Sequence, residues 1–508
     1  MSGSSLEPRV QLLLTFPAPQ DTQHQGQESV RCKTKHLNMA PSHSTTVKLQ
    51  KVEEQEQRSF EVKVSWLDAE DQSNSSDAKT NDRAFNSGNV KKVFDVRYPS
   101  SSNSYYNDAA LLMHSTFHAG LVNHVITDKG YIDDGGTDKM LWLATTTFHV
   151  PFILALPSLF NLHSVLERNP PTPSGTVIDK FHLPPSVILY RSLDEALADP
   201  LVELVFIGTP NDTHYTIVKA ALEAGKHVLV DKPVTPTTVE AVELGNLAKA
   251  QGKVLYAFQN RRFDQDYLAL KKLLDLPETD EMSLGTVIEF ESQYKPGLKG
   301  SWKDEPRPAA GLLYDLGSHL IDQALSLFGR PTKLTAFISN LRGIGHPDFT
   351  VYMHYPAGSA LPYPFTAILR AHPLSARSPQ IRFLIRGQKG SYTKYGIDVQ
   401  EDQLKGLSGS TSQSVLASIQ NDAVFGVESE SAWGVIEHAR DANASITKSA
   451  WPSKDPGCYA DLFRNLADAI RNKGELKVKW EEATAVIEMI ELSKKSAKEG
   501  KTLDVPHS

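Results

Sequence analysis

The sequence predicts an α/β domain of parallel strands, then an α+β domain on a large, open, mostly antiparallel sheet, with an irregular N-terminal extension ahead of both. Three observations carry this. Leu204–Ile207 and His227–Val230 are short apolar runs separated by one amphipathic helix, the pattern of parallel strands buried on both faces. Beyond Arg262 the alternation of helix and strand gives way to a series of strands interrupted by one helix. Ahead of residue 140 the chain is rich in Ser, Asn, Asp, Gln and His and shows little periodicity, so this extension is expected to be disordered. The expected divisions are therefore 1–140, 141–262 and 263–508.

Taken in order, Glu61–Trp66 alternates like a short strand, and Val90–Tyr98 is a second strand-like run, with the polar stretch Gln72–Ser87 between them. Phe148–Phe160 reads as a helix that Pro157 kinks or ends early, and Leu162–Glu167 as a strand. Ser192-Leu193-Asp194-Glu195 is a capping-box start for a short helix that stops before Pro200. After the strand Leu204–Ile207, Asn211, Asp212 and Thr213 supply capping side chains. The helix that follows has Ile217, Val218, Ala221, Leu222 and Ala224 on its apolar face and ends at Gly225. The strand His227–Val230, the helix Thr237–Ala250 and the strand Val254–Phe258 complete this unit. The last domain opens with a helix, Tyr267–Leu274, a long alternating strand, Gly285–Tyr294, and a helix around Asp315–His319. Strand-like runs follow at Leu334–Ile338, Phe349–His354, Phe365–Arg370 and Ile381–Arg386, and the helices Tyr459–Arg471 and Ala483–Lys498 end the chain.

Composition narrows the function. At 508 residues and 40% apolar content the chain can hold two to three domains with real cores. Two cysteines, Cys32 and Cys458, cannot build a disulfide framework and suit a reducing, cytoplasmic setting. No apolar run reaches the ~18 residues of a membrane span, and Val10–Phe16 is too short for a secretory signal. A net charge of −7 gives no general attraction to nucleic acid. The expectation is a small-molecule protein with neither membrane nor nucleic-acid partner. His114, His118 and His124 have a spacing that could seat a metal, but no Asp, Glu or Cys completes a familiar set. Solvated histidines are the simpler account, and no metal site is expected.

Two motifs carry chemistry. Within Gly311–Asp322, Asp315 and His319 are four residues apart in a helical segment and so share one face. The carboxylate can orient the ring and raise its basicity. The bland alternatives are a surface ion pair or a satisfied core histidine. In Val228-Leu229-Val230-Asp231-Lys232-Pro233, Lys232 emerges at the carboxyl end of a parallel strand, where ligands sit in open α/β sheets. Pro233 restricts Lys232 to extended conformations, which argues against a merely solvated lysine.

Five blocks in order, Gly208-Thr209-Pro210-Asn211-Asp212-Thr213-His214, Asp231-Lys232-Pro233, Phe258-Gln259-Asn260-Arg261-Arg262, Gly311–Asp322 and Tyr395–Asp402, resemble the glucose-fructose oxidoreductase, inositol dehydrogenase and rhizopine-catabolism (Gfo/Idh/MocA) family of NAD(P)-dependent oxidoreductases. The resemblance runs from about residue 148 to 505, with Asp231 standing where the family usually has Glu. It implies a Rossmann-like NAD(P)-binding domain and hydride transfer between a nicotinamide and the secondary hydroxyl or ketone of a sugar, polyol or related carbonyl compound. Lys232 would polarise the substrate oxygen, His319 would exchange the hydroxyl proton, and Asp315 would orient His319. Gly208, Thr209, Pro210, Asn211, His214, Asp231, Lys232, Gln259 and Asn260 would line the cofactor. Arg261, Arg262, Tyr294, Trp302 and Tyr314 are candidate substrate-pocket residues. A homo-oligomer formed through the C-terminal sheet would also fit the family.

Cofactor choice turns on Glu167 and Arg168. An acidic residue at the end of the second strand bonds the ribose 2′-hydroxyl of NAD, whereas arginine accommodates the 2′-phosphate of NADP. Both occur here, and the later position of Arg168 tips the expectation slightly to NADP. A Gly-x-Gly-x-x-Gly turn is expected ahead of Phe148, where glycines let backbone approach a pyrophosphate. The chain has Met140-Leu-Trp-Leu-Ala-Thr-Thr-Thr147 there. Three accounts follow: a segment ahead of Phe148 other than the one the fold evolved with, a divergent cofactor loop, or a cofactor-impaired member acting as a regulatory or protein-binding module.

Overall fold

The structure is a computed structural model. It describes the strands named below within residues 1–128, and then residues 145–294, 308–340, 348–358, 362–372, 375–406, 419, 425–438, 445–453 and 457–506. Residues 1–120 and 121–508 form two compact units. In the first, β1 (Leu13–Thr15) pairs antiparallel with β2 (Ser29–Arg31). β3 (Thr45–Val52), β4 (Gln57–Leu67) and β5 (Val93–Arg97) make an antiparallel sheet in chain order. The two strand-like runs expected in the extension coincide with β4 and β5. Gln72–Ser87, His114 and His118 lie outside the described residues.

The second unit holds two sheets. The first comprises β6 (Val122–Asp128), β7 (Phe160–Glu167), β8 (Ile188–Tyr190), β9 (Leu204–Ile207), β10 (His227–Asp231) and β11 (Leu255–Phe258). Its strands are all parallel, in the order β11-β10-β9-β6-β7-β8. That is the doubly wound 3-2-1-4-5-6 order, with the chain reversing direction of travel at β6. A domain boundary at residue 141 would leave β6 outside, yet it is the central strand. Asn123 and His124 break its apolar pattern, and the register shifts between His124 and Val125. β9, by contrast, is wholly apolar, and all four of its residues are buried.

The helices of this part are α1 (Val150–Ala155), α2 (Thr176–Phe181), α3 (Leu193–Ala198), α4 (His214–Glu223) and α5 (Thr238–Gln251). α1 stops at Leu156, directly before Pro157, so the expected helix to Phe160 is cut short and Phe160 opens β7 instead. Ser192 and Glu195 form both bonds of the capping box that starts α3, and Thr237 and Glu240 do the same for α5.

The second sheet comprises β12 (Val287–Tyr294), β13 (Lys333–Ser339), β14 (Asp348–Tyr355), β15 (Phe365–Ala371), β16 (Ile381–Gly387), β17 (Gly390–Tyr395), β18 (Gly434–His438), β19 (Thr447–Trp451) and β20 (Leu503–Asp504). The order is β19-β18-β17-β16-β12-β15-β14-β13-β20, and only β12 and β15 run parallel. Its helices are α6 (Gln265–Leu274), α7 (Leu312–Asp315), α8 (Gly317–Phe328), α9 (Gln400–Gly406), α10 (Ala460–Ile470) and α11 (Trp480–Glu499). α8 and α11 pack on this sheet, and Ser496 Oγ of α11 accepts from the Ala336 amide at 2.9 Å.

The last two helices return to the first sheet. Phe463 of α10 stacks on Phe152 of α1 at 5.2 Å and on Phe206 of β9 at 5.9 Å. Asn465 accepts from Tyr256 Oη at 2.8 Å. Trp480 lies on Gly245 of α5, where an added Cβ would stand 2.6 Å from Trp480 Cδ1, and its indole N–H donates to the Ala241 carbonyl at 2.8 Å. Among the described residues no helix is long and apolar enough to cross a membrane.

A set of charges is buried between α6 and the second sheet. Lys394 and Glu428, each 1% exposed, are 2.9 Å apart. Burial, together with Asp266, pushes Glu428 up to about 7 and Asp398 up to about 6. Both folded values lie above the ordinary 4.5 and 3.8. The stability these protons contribute is therefore complete below the ordinary range and is lost as pH rises through about 6 and 7. Urea unfolding of the parent should lose stability between pH 5 and 8, and Glu428→Gln should remove about 1–3 kcal/mol of that loss. Parallel pH curves for parent and variant would refute this.

Candidate active site

The carboxyl ends of β6, β9 and β10 meet at the reversal point, the position where open α/β sheets bind ligands. Gly208 follows β9 there. A Cβ on it would meet Thr145 Oγ1 at 3.2 Å, Asp231 Oδ2 at 3.4 Å and His149 Nε2 at 3.6 Å. Thr209 and Pro210 continue into a tight turn, which Thr213 closes by donating its hydroxyl to the Pro210 carbonyl at 2.8 Å. Asn211 Nδ2 reaches the Ala309 carbonyl at 2.8 Å and so joins this turn to the segment before α7.

His214, expected beside a cofactor, is fully buried at the start of α4. Its Nδ1 lies 2.9 Å from the Pro233 carbonyl and its Nε2 2.8 Å from the Thr209 carbonyl. Burial lowers its pKa from the ordinary value, against the two carbonyls that face its nitrogens. It braces the Lys232–Pro233 turn from behind and offers no nitrogen to a ligand.

Lys232 leaves the end of β10 and crosses to the second domain. Its Nζ donates to Asp315 Oδ1 and to the Asp315 carbonyl oxygen, both at 2.8 Å. Ser318 Oγ donates to the same carbonyl at 3.1 Å. The expected single helix is thus two, α7 ending at Asp315 and α8 starting at Gly317, with a carbonyl turned over to the lysine at the break. Leu316 keeps helical dihedrals, φ −92° and ψ −34°, so the four-residue spacing of Asp315 and His319 survives across it. His319 is buried, with the Tyr294 ring edge-on at 6.4 Å. Lys232 and Asp315 are thereby joined across the two domains, with His319 four residues further along the chain.

Several other expected ligands have different work. Both oxygens of Glu167 accept backbone N–H groups at the start of α2, from Thr176 at 2.8 Å and Val177 at 2.9 Å. Burial raises its pKa against those two bonds. Arg168 beside it is exposed and forms no ion pair among the described residues. Arg262 grips Asp322 of α8 with two bonds, 2.8 Å and 2.6 Å, and Glu482 of α11 with a third at 2.8 Å. Arg261 pairs with Asp264 and Glu401 and lies over the Tyr294 ring at 5.2 Å. These guanidiniums join elements instead of lining a pocket. Tyr314 Oη donates to the Pro236 carbonyl at 3.1 Å and is likewise structural. Tyr294 is buried between Arg261 and Arg382. Trp302 lies outside the described residues.

The sequence reading missed one pair altogether. His149 Nε2 lies 3.0 Å from Asp231 Oδ1, with the histidine wholly buried. The partners are 82 residues apart, and no spacing signal links them. The segment Thr145–His149 forms one turn before α1, so threonines stand where glycines were expected. Thr145 Oγ1, Thr147 Oγ1 and Gln259 Oε1 are buried polar atoms without hydrogen-bond partners. Orphaned oxygens and the bare Cα of Gly208 at the reversal point fit a dinucleotide site. Among the described residues no cluster of His, Cys, Asp or Glu could hold a metal.

Residues 143–259 match the family model described as "Oxidoreductase family, NAD-binding Rossmann fold", and residues 280–505 match its "C-terminal alpha/beta domain". An uncharacterized oxidoreductase of Schizosaccharomyces pombe is 38% identical over 70% of this chain and 95% of its own length. A Bacillus subtilis protein named scyllo-inositol 2-dehydrogenase (NADP(+)) is 32% identical over 64% of this chain and 84% of its own. The crystal structure of an oxidoreductase from Bacillus cereus superimposes with a TM-score of 0.62 at 28% identity, covering 76% of this chain and 99% of the other. These relatives are named as oxidoreductases, and the regulatory account has no counterpart among them. Two domain matches and relatives aligned over nearly their whole length show that the chain belongs to the Gfo/Idh/MocA family of NAD(P)-binding oxidoreductases.

Proposed function

We propose that this chain is an NADP-preferring dehydrogenase acting on a secondary hydroxyl, or the matching ketone, of a cyclic polyol or sugar. The observation that carries it is the Lys232–Asp315 contact, which spans both domains four residues ahead of His319 in the chain. The named scyllo-inositol dehydrogenase among its relatives supports the substrate class. Nicotinamide, when bound, supplies the hydride chemistry. The protein's own part is position and proton traffic. Lys232, charged and half-buried, offers a hydrogen bond to the substrate oxygen as negative charge grows on it. Asp315 holds that ammonium in place. His319 takes the hydroxyl proton in one direction and returns it in the other.

The preference for NADP rests on the end of β7. Glu167 is buried with each oxygen already accepting an amide N–H of α2, and so is poorly presented to a ribose hydroxyl. Arg168 is exposed at the same strand end and is suited to a 2′-phosphate. Gly208 and Gln259, with the hydroxyls of Thr145 and Thr147, are the groups that would hold the rest of the dinucleotide.

Three measurements test this. With NADP⁺ and scyllo-inositol or a related polyol, Lys232→Ala should lower kcat/KM at least about a hundredfold while leaving the protein folded; activity within a few-fold of the parent removes Lys232 from the chemistry. His319→Asn should lower kcat by about 10²–10⁴ and abolish one limb of the pH–rate profile, and an unchanged profile would return His319 to a packing role. Arg168→Ala should weaken NADPH binding about tenfold, as loss of one charged hydrogen bond does, and leave NADH unaffected. Equal losses for the two nucleotides would contradict the preference.

A further inference from the structure

Behind Lys232 stands the second imidazole–carboxylate pair, His149 and Asp231. His149 is caged by aromatic rings, with Phe258 edge-on at 4.7 Å, Phe206 at 5.9 Å and Phe463 at 6.3 Å. Its Nδ1 is buried without a hydrogen-bond partner, while Nε2 faces Asp231 Oδ1. The tautomer that suits this cage carries its proton on Nε2 and donates it to Asp231. The other carboxylate oxygen of Asp231 lies against the bare Cα of Gly208, 3.4 Å from where a Cβ would be. Asp231 is therefore pinned on two sides at the residue immediately before Lys232.

Asp231 precedes this lysine at the end of β10, and Asp315 faces it across the crevice. The ammonium is found on Asp315, at 2.8 Å. Resting on the oxidoreductase reading above, we propose that His149 is a positioning residue. By holding Asp231 it fixes the strand end from which the lysine reaches Asp315. His149 touches neither substrate nor the reacting atoms.

The test reads Lys232 directly in the full chain. A short pulse of an N-hydroxysuccinimide acetylating reagent, followed by peptide mass spectrometry, measures how accessible its amine is. His149→Leu removes the donor, and His149→Gln keeps an N–H near the Nε2 position. Labelling of Lys232 should rise several-fold in His149→Leu and stay near parental in His149→Gln, with Lys219 and Lys249 as unchanged internal controls. In the same leucine variant kcat should fall about tenfold or more with KM little changed, the signature of a misplaced catalytic group. Should His149→Leu fail to fold, Asp231→Ala breaks the same bond from its more exposed side and is expected to raise labelling likewise. Parental labelling of Lys232 in a folded variant lacking this bond overturns the proposal. Absence of turnover in the parent would overturn the oxidoreductase reading instead, and the labelling result would still decide what His149 does.

Discussion

The double hold of Asp315 on Lys232 is the contact around which the crevice is arranged. One ammonium meets a carboxylate and a main-chain carbonyl of the same residue, each at 2.8 Å, with both side chains only 18% exposed. Exposed ion pairs are worth ~1 kcal/mol or less, whereas removing one partner of a buried pair costs ~3–5 kcal/mol. This pair lies between those limits, and its geometry does more than its energy. It requires a carbonyl that a continuous helix would have used internally, so the break between α7 and α8 and the lysine's position depend on each other. It also requires the turn after β10 to present Lys232 at one height, which His214 secures from behind.

Neighbouring charges hold the frame that makes this contact possible. Arg262, leaving β11, is bound by Asp322 of α8 and Glu482 of α11, so the exit from the first sheet is riveted to two helices of the second domain. Paired N–H bonds to one carboxylate fix direction as well as distance. Arg261 makes the parallel connection to α9 through Glu401. α10 adds the apolar part of the seal, its Phe463 lying across rings from α1 and β9. Chain that is last in sequence thus completes the core of the domain that comes first.

How much of this could be read from sequence depends on whether the signal was local. The strands β9 and β10, the capping box at Ser192 and the placement of Lys232 after a buried strand were legible because each is a matter of a few adjacent residues. β6 was not, because Asn123 and His124 interrupt its apolar run and residues 129–149 separate it from α1. Glu167 was legible as an acid at a strand end but not as a helix cap, because α2 lies among Pro170, Pro171, Pro173 and Gly175 and gave no helical signal. Arg261 and Arg262 were visible as cations, yet their partners stand between 3 and 220 residues away, and charge alone does not say which carboxylate a guanidinium will meet. The His149–Asp231 pair had no trace at all in spacing. Site residues set by the end of a strand were foreseeable, and those set by tertiary pairing were not.

Trp480 on Gly245 has a consequence for how this protein can diverge. A side chain at 245 would place its first carbon 2.6 Å from the indole, so that position is closed to the other nineteen residues while the tryptophan remains. Shrinking Trp480 first opens the position, but that step leaves a hole and removes the indole's bond to the Ala241 carbonyl, a loss of about 3–5 kcal/mol for a large aromatic. Either single step is costly while the pair of steps need not be. The seam between α5 and α11 is therefore an epistatic lock: lineages can drift widely on either helix, but they pass this point only by changing both residues or neither.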